Sequence, residues 1–250
     1  MQRLTFEKSE KHQLVSAIIV LAFVFSVKNI TNFWDWIGSF ILMFILTGFS
    51  LLIKIIAQKK VAIASGARAS FELWRIQRLW FSQSKKINKK FISWMSNVWL
   101  IVPLLISLFS NGQVPFAAPG TIKVTESPAY RLGKKYSFTT EFEVAKIALM
   151  GPIANIFLAL IIKTLFGISG IAGALVFINV AMAISNILPI PKLDGGQVYF
   201  GSLLLYIFGA TFVFGCAALI YFLTFSSTLI LSLIIALIVL SLFYYFRIFK

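Results

Sequence analysis

The sequence has one cysteine, one histidine and only eight acidic side chains in 250 residues. A lone cysteine, Cys216, excludes a disulfide framework and leaves the redox compartment undetermined. The lone histidine, His12, precedes the first apolar run and reads as a solvated residue at a helix end. With no other histidine, serine chemistry lacks a base beside its nucleophile, and a metal lacks imidazole ligands. Charge is scarce too: 12% of residues are charged against 59% hydrophobic. A soluble domain runs nearer half apolar and about a quarter charged, so one water-soluble core of this composition would lack the polar surface to cover it. A GxGxxG, a P-loop, a CxxC, an internal repeat and a low-complexity tract are all missing, which removes the usual dinucleotide, NTPase and dithiol signatures. No small-x-small site closes the first apolar run before Lys28, so this run reads as a membrane segment and not as a cleaved signal.

What the sequence does have is apolar length. Crossing roughly 30 Å of hydrocarbon takes about 20 helical residues. Candidate spans are 14–27 (extendable to 30), 36–57, 147–167, 171–190, 198–222 and 229–246. A further run, 98–109, is only about half a bilayer long and contains Pro103, so it reads as re-entrant or buried. The expectation is an all-α integral membrane protein of about six transmembrane helices with a re-entrant or β-like segment. It divides into 1–57 with two spans, a basic aromatic stretch at 58–96, a re-entrant or β-like region at 97–146, a helix pair at 147–196, and two last spans at 197–250.

The formal net charge is +15, and its placement matters more than its size. Lys59, Lys60, Arg68, Arg75, Arg78, Lys85, Lys86, Lys89 and Lys90 all lie between the second span and the half-length run, opposed only by Glu72. Counting spans puts them on one side with Arg3, Lys8, Lys11, Lys192, Arg247 and Lys250, while the opposite loops carry Lys28 and Asp35. The positive-inside rule then predicts a multi-pass cell-membrane protein with both termini in the cytoplasm. Phe71, Trp74, Trp80, Phe81, Phe91, Trp94 and Trp99 interleave with these cations, a mixture that suits an interfacial amphipathic helix. Arg75, Arg78, Lys85, Lys86, Lys89 and Lys90 are expected to meet anionic lipid head groups, at about 1 kcal/mol each. Nothing specific points to nucleic acid.

Three segments stand out for chemistry. Gly151-Pro152-Ile153-Ala154-Asn155 opens the third full span, and its small residues permit close helix approach. Asn186-Ile187-Leu188-Pro189-Ile190-Pro191-Lys192-Leu193-Asp194-Gly195-Gly196 breaks a helix with two prolines and puts a carboxylate at the break. Broken backbone at membrane depth is tolerated only where it is buried in protein or lines a cavity, and an intramembrane acid is a functional hypothesis by default. An interfacial turn that merely ends a helix is the other reading of the same residues. The third segment is Lys54-Ile55-Ile56-Ala57-Gln58-Lys59, closing the second span.

In this order the three segments resemble the site-2 protease family of intramembrane zinc metalloproteases, in an archaeal-type form. Phe71-Glu72-Leu73-Trp74 and Phe116-Ala117-Ala118-Pro119-Gly120 are similar to further segments of such proteins, so the resemblance covers about residues 36–200. It implies that Asp194 stands where the family has its third zinc ligand, and that Asn155 helps hold an extended substrate. Active members carry His-Glu-x-x-His on the second span, two imidazoles on one helical face with the Glu as general base. Counting back from Lys54–Lys59 assigns those places to Phe49, Ser50 and Ile53, so 36–57 reads as a degenerate zinc helix. A catalytic zinc takes about three protein ligands and a water; Asp194 alone does not supply them, and neither His12 nor Cys216 is near in sequence. The resemblance therefore implies a protein without zinc and without catalytic residues. Its groove would be formed by Gly151, Asn155, Asn186, Pro189, Pro191 and Asp194, and it would bind membrane proteins or transmembrane helices as an assembly factor, holder or complex subunit. Two other readings stay open: a metalloprotease that is active or completed by a partner subunit, and a channel or transporter subunit with Asn155, Asn179, Lys163 and Asp194 lining a cavity. Lys54 and Lys163 each also read as snorkelling to an interface, and Asn155, Asn179 and Ser185 as an interhelical hydrogen-bond cluster.

Overall fold

The computed structural model describes residues 6–27, 32–75, 97–126 and 139–248. Within them lie, in chain order, α1 (Lys8–Ser26), α2 (Phe33–Ala64), β1 (Ala67–Leu73), α3 (Val98–Phe109), β2 (Gly120–Glu126), α4 (Glu141–Phe166), α5 (Gly170–Ile187), α6 (Asp194–Gly201), α7 (Leu203–Leu219) and α8 (Phe225–Ile248). The protein is mostly helical, and α1, α2, α4, α5 and α8 are long and apolar enough to cross a membrane.

Two boundaries differ from the sequence expectation. The second span does not end at residue 57: α2 continues through Lys59 and Lys60 for 32 residues in all. Nothing in Gln58–Ala64 breaks a helix, and the stop comes only where Gly66 takes φ 73°, the left-handed conformation that glycine adopts at little cost. At about 1.5 Å per residue, this helix outruns a bilayer core. The expected span 198–222 is in fact two helices. Ser202 is extended (φ −163°, ψ 109°), and its Oγ accepts the Leu205 N–H at 3.3 Å, capping α7. A Cβ on Gly201 would press on the Glu141 carbonyl, so the chain turns where it passes closest to α4. With 17 residues, α7 falls below the length of α1, α2, α4, α5 and α8, so the described residues hold five clear spans where six were expected.

The half-length run is a helix, α3, with Pro103 inside it. Only β2 falls in the expected β-like region, 97–146; its antiparallel partner β1 lies in 58–96, where an interfacial amphipathic helix was expected, and there Phe71 and Trp74 are buried, with Leu73 facing Gly120 and Phe71 facing Ile122. The pairing continues past β1, where the Trp74 N–H donates to the Pro119 carbonyl at 3.0 Å. The segments 71–74 and 116–120 thus lie side by side. Helix α4 starts from a reciprocal capping box: the Glu143 N–H donates to Thr140 Oγ1 at 3.2 Å and the Thr140 N–H to Glu143 Oε2 at 3.0 Å. It packs on α5, α6 and α2 at the centre of the molecule. Small residues make that close: Ala145, Ala148, Gly151 and Ala159 are all buried. Helix α8, by contrast, leans mainly on α7 and presents Ile234, Leu237, Ile238 and Leu242 outward.

Candidate functional site: a buried carboxylate held by lysine

Asp194 opens α6 directly after the turn that ends α5, and it is fully buried. The turn follows from the prolines. Helix α5 stops at Ile187, Leu188 is extended at ψ 140°, and Pro189 follows, as expected for a residue forced out of the helical region by the proline behind it. Gly195 and Gly196 are required by proximity: a Cβ on either would collide with the carbonyls of Ile187 or Ile190. The aspartate is thereby pressed beneath the turn and aimed at α2.

Five side chains from four elements converge on this neighbourhood. Lys54 Nζ lies 2.8 Å from Asp194 Oδ2, and the two side chains are 1% and 0% exposed. One turn along α2, Gln58 Nε2 donates to the same oxygen at 3.1 Å and to the Ala148 carbonyl at 3.1 Å. Both partners of that nitrogen are acceptors, so the amide orientation is fixed by chemistry. Thr121 Oγ1, on β2, donates to Asp194 Oδ1 at 2.8 Å. Lys54 also donates to Asn186 Oδ1 at 2.7 Å, while Asn186 Nδ2 donates to the carbonyls of Met182 (2.7 Å) and Ala117 (3.2 Å). Gln197 completes the set, donating to Thr121 Oγ1 and to the Ile122 carbonyl, each at 2.9 Å. The network ties α2, β2, α5 and α6 together with the α4 backbone. Gly151 makes room for it, because a Cβ there would stand 2.5 Å from Gln58 Nε2 and 2.9 Å from Lys54 Cε.

A second buried ion pair lies farther along α2. Lys59 Nζ meets Glu10 Oε2 at 2.8 Å and sits 4.0 Å from the centre of the Phe6 ring. Glu10 Oε1 accepts the Phe71 N–H and Gln13 Oε1 the Leu73 N–H, both at 2.9 Å. Two α1 side chains, three residues apart and so on one face, thus cover the outer edge of β1. Because those two N–H groups turn away from β2, antiparallel alternation turns the backbone groups of Gly120, Ile122 and Val124 away from β1. Gln197 covers Ile122 on that second edge.

The residues singled out from sequence separate into two groups. Gly151, Asn155, Asn186 and Asp194 are buried, and Gly151, Asn186 and Asp194 belong to the network. Pro189 and Pro191 shape the turn but are exposed. Asn155 is buried, and neither end of its carboxamide has a hydrogen-bond partner among the described residues. The three asparagine and serine side chains expected to cluster do not. Asn179 donates to Ser50 Oγ at 2.9 Å, and Ser185 Oγ accepts the Ala117 N–H at 2.9 Å. Lys163 turns to the carbonyls of Ile220 and Leu223 beyond the end of α7, which cation and helix end both favour. Of the positions assigned to the lost zinc helix, Phe49 is 48% exposed, Ile53 is half-buried, and Ser50 is buried with its hydroxyl accepting from Asn179. The pair on α2 that reaches Asp194 is Lys54 and Gln58. Arg75 is exposed and its carbonyl accepts Lys192 Nζ at 3.0 Å; Arg78, Lys85, Lys86, Lys89 and Lys90 lie outside the described residues.

Comparison with known proteins leaves the geometry to speak alone. No family model, curated protein or solved structure matches the chain.

The donor set can still be tested against the zinc that the resemblance brings to mind. A zinc ligand offers a lone pair, whereas the groups nearest Asp194 are an ammonium, an amide N–H and a hydroxyl, each spending its hydrogen on the carboxylate. As they stand, these residues do not fit a zinc ion. What the arrangement does chemically is neutralise a buried carboxylate and lock four elements around it.

Proposed function

We propose that this chain is a catalytically inactive relative of the site-2 intramembrane proteases that holds segments of other membrane proteins without cutting them. One observation carries the reading: Asp194, the carboxylate that resemblance would make a zinc ligand, is saturated by Lys54, Gln58 and Thr121. Peptide hydrolysis by a zinc mechanism needs a Lewis acid and an activated water, and a carboxylate committed to an ammonium binds neither. A two-stranded sheet beside the site supports the reading. The segment 71–74 ends β1 and the segment 116–120 leads into β2, meeting at Leu73–Gly120 and Trp74–Pro119, and the outer edge of β2 adjoins the Asp194 network through Thr121 and Gln197. An extended segment adding to that edge would gain main-chain hydrogen bonds, and Val124 offers its backbone there. The basic residues flanking the membrane segments give this end of the protein its affinity for anionic lipid.

The test is metal content and cleavage measured on one detergent-purified sample of the native chain. The expected result is no stoichiometric zinc and no cleavage of transmembrane substrates. One tightly bound zinc per chain, or cleavage abolished by Asp194→Asn, would overturn the reading.

A further inference from the structure

Lys54 and Gln58 are four residues apart on α2, and both place a nitrogen within 3.1 Å of one oxygen, Asp194 Oδ2. Two side chains at this spacing on one helical face, converging on a carboxylate from another element, have the layout of a three-ligand metal centre. The difference lies in what occupies the middle. Here the positive charge is the tip of a side chain, 1% exposed, whose second hydrogen bond to Asn186 Oδ1 at 2.7 Å fixes it in place. We propose that the Lys54 ammonium is a resident cation, holding between α2 and the Asp194 turn the position that a divalent metal would take.

Three features fit a tethered ion better than an incidental ion pair. The cation sits against α4 only because position 151 has no side chain: a Cβ there would stand 2.9 Å from Lys54 Cε. Asp194 receives its donors from three sides, on α2 and β2, as a metal-binding carboxylate receives its supporting hydrogen bonds. Asn186, in turn, places a neutral acceptor and no second charge behind the ammonium. The geometry also sets the register. Phe49 is exposed and Ile53 only half-buried, whereas Lys54 and Gln58 are buried and reach Asp194, so a metal on α2 belongs at 54 and 58. Histidine is shorter than lysine, and metal bonds of about 2.0–2.1 Å to nitrogen and roughly 2.0–2.2 Å to oxygen would span the difference.

The site is therefore one double substitution from a metal centre. Lys54→His with Gln58→His, in the full chain in detergent, should bind about one zinc ion per chain. Adding Asp194→Ala should abolish that binding. Phe49→His with Ile53→His should bind none. Zinc on the 49/53 pair, or a monodisperse 54/58 variant without zinc, would overturn the inference. If the 54/58 variant aggregates, thermal denaturation of Lys54→Met decides: its melting temperature should fall, and adding Asp194→Asn should recover most of the loss. An unchanged melting temperature in Lys54→Met, or no recovery in the double variant, would overturn the inference equally. The inference rests on the proposed function only for the choice of zinc as probe. The variants are read without substrate or partner, so partner holding can fail while the resident cation stands, and the reverse.

Discussion

At the scale of single residues, the balance at Asp194 decides the energetics. Removing one member of a buried ion pair strands the other charge and costs about 3–5 kcal/mol, far more than a surface pair is worth. Asp194→Asn leaves the Lys54 ammonium buried with only Asn186 to receive it, so a loss of this size is expected in detergent unfolding. A loss under about 1 kcal/mol would place the pair in the surface class and contradict the account. Thr121→Val is milder. It deprives Asp194 Oδ1 of a donor and Gln197 Nε2 of an acceptor, at about 1–3 kcal/mol by the same assay. Some of this was legible from sequence. Asp194 stands out as an acid beside a membrane segment, and Pro189 and Pro191 declare the break that buries it. Lys54 read as a blemish in an apolar run that would snorkel to an interface, where instead it is buried against Asp194, and Gln58 read only as a register mark. Their meaning needs the i, i+4 face of α2 to be turned toward a residue more than a hundred positions away. Thr121 and Gln197 carry no local signal at all.

At the scale of elements, among the described residues the sheet has one edge closed by α1 and one covered only at Ile122, by Gln197. Glu10 and Gln13 occupy the N–H groups of Phe71 and Leu73 on β1, so pairing with another chain is left to β2. Val124→Pro removes an N–H that turns away from β1. It should lower partner capture markedly while costing little stability, as judged by pull-down beside thermal unfolding. Unchanged capture would remove the β2 edge from the account. Only β2 was foreseeable, as part of a β-like region; β1 lies where the aromatic and basic residues read as an interfacial helix. Each is seven residues long, and their pairing joins segments separated by α3 and the basic stretch. Hydropathy could not foresee the break between α6 and α7 either. Gly201 and Ser202 are small enough to leave an apolar run intact on paper, yet the first avoids the Glu141 carbonyl and the second caps the next helix.

At the scale of the whole molecule, composition alone was enough for the class. A chain that is 59% hydrophobic and 12% charged is resolved into five membrane-length helices plus two shorter apolar ones. The cations Lys60, Arg68, Arg75 and Lys192 remain exposed, where anionic lipid would meet them. If α7 crosses despite its length, both termini lie on the cytoplasmic side, as the positive-inside rule requires. Reporter tags at each end should then both be reachable from the cytoplasm. A C-terminal tag reachable only from outside would mean that α7 does not cross.

The central claim is that the chain holds membrane segments and does not cut them. A photo-crosslinking residue at position 124 of the full chain, activated in its own membrane, tests it most directly through the masses of the captured proteins. The account predicts membrane proteins at full-length mass, captured from position 124 and not from a lipid-facing position such as Ile238 on α8. Captured proteins shortened within a transmembrane segment, and restored to full length by Asp194→Asn, would contradict it.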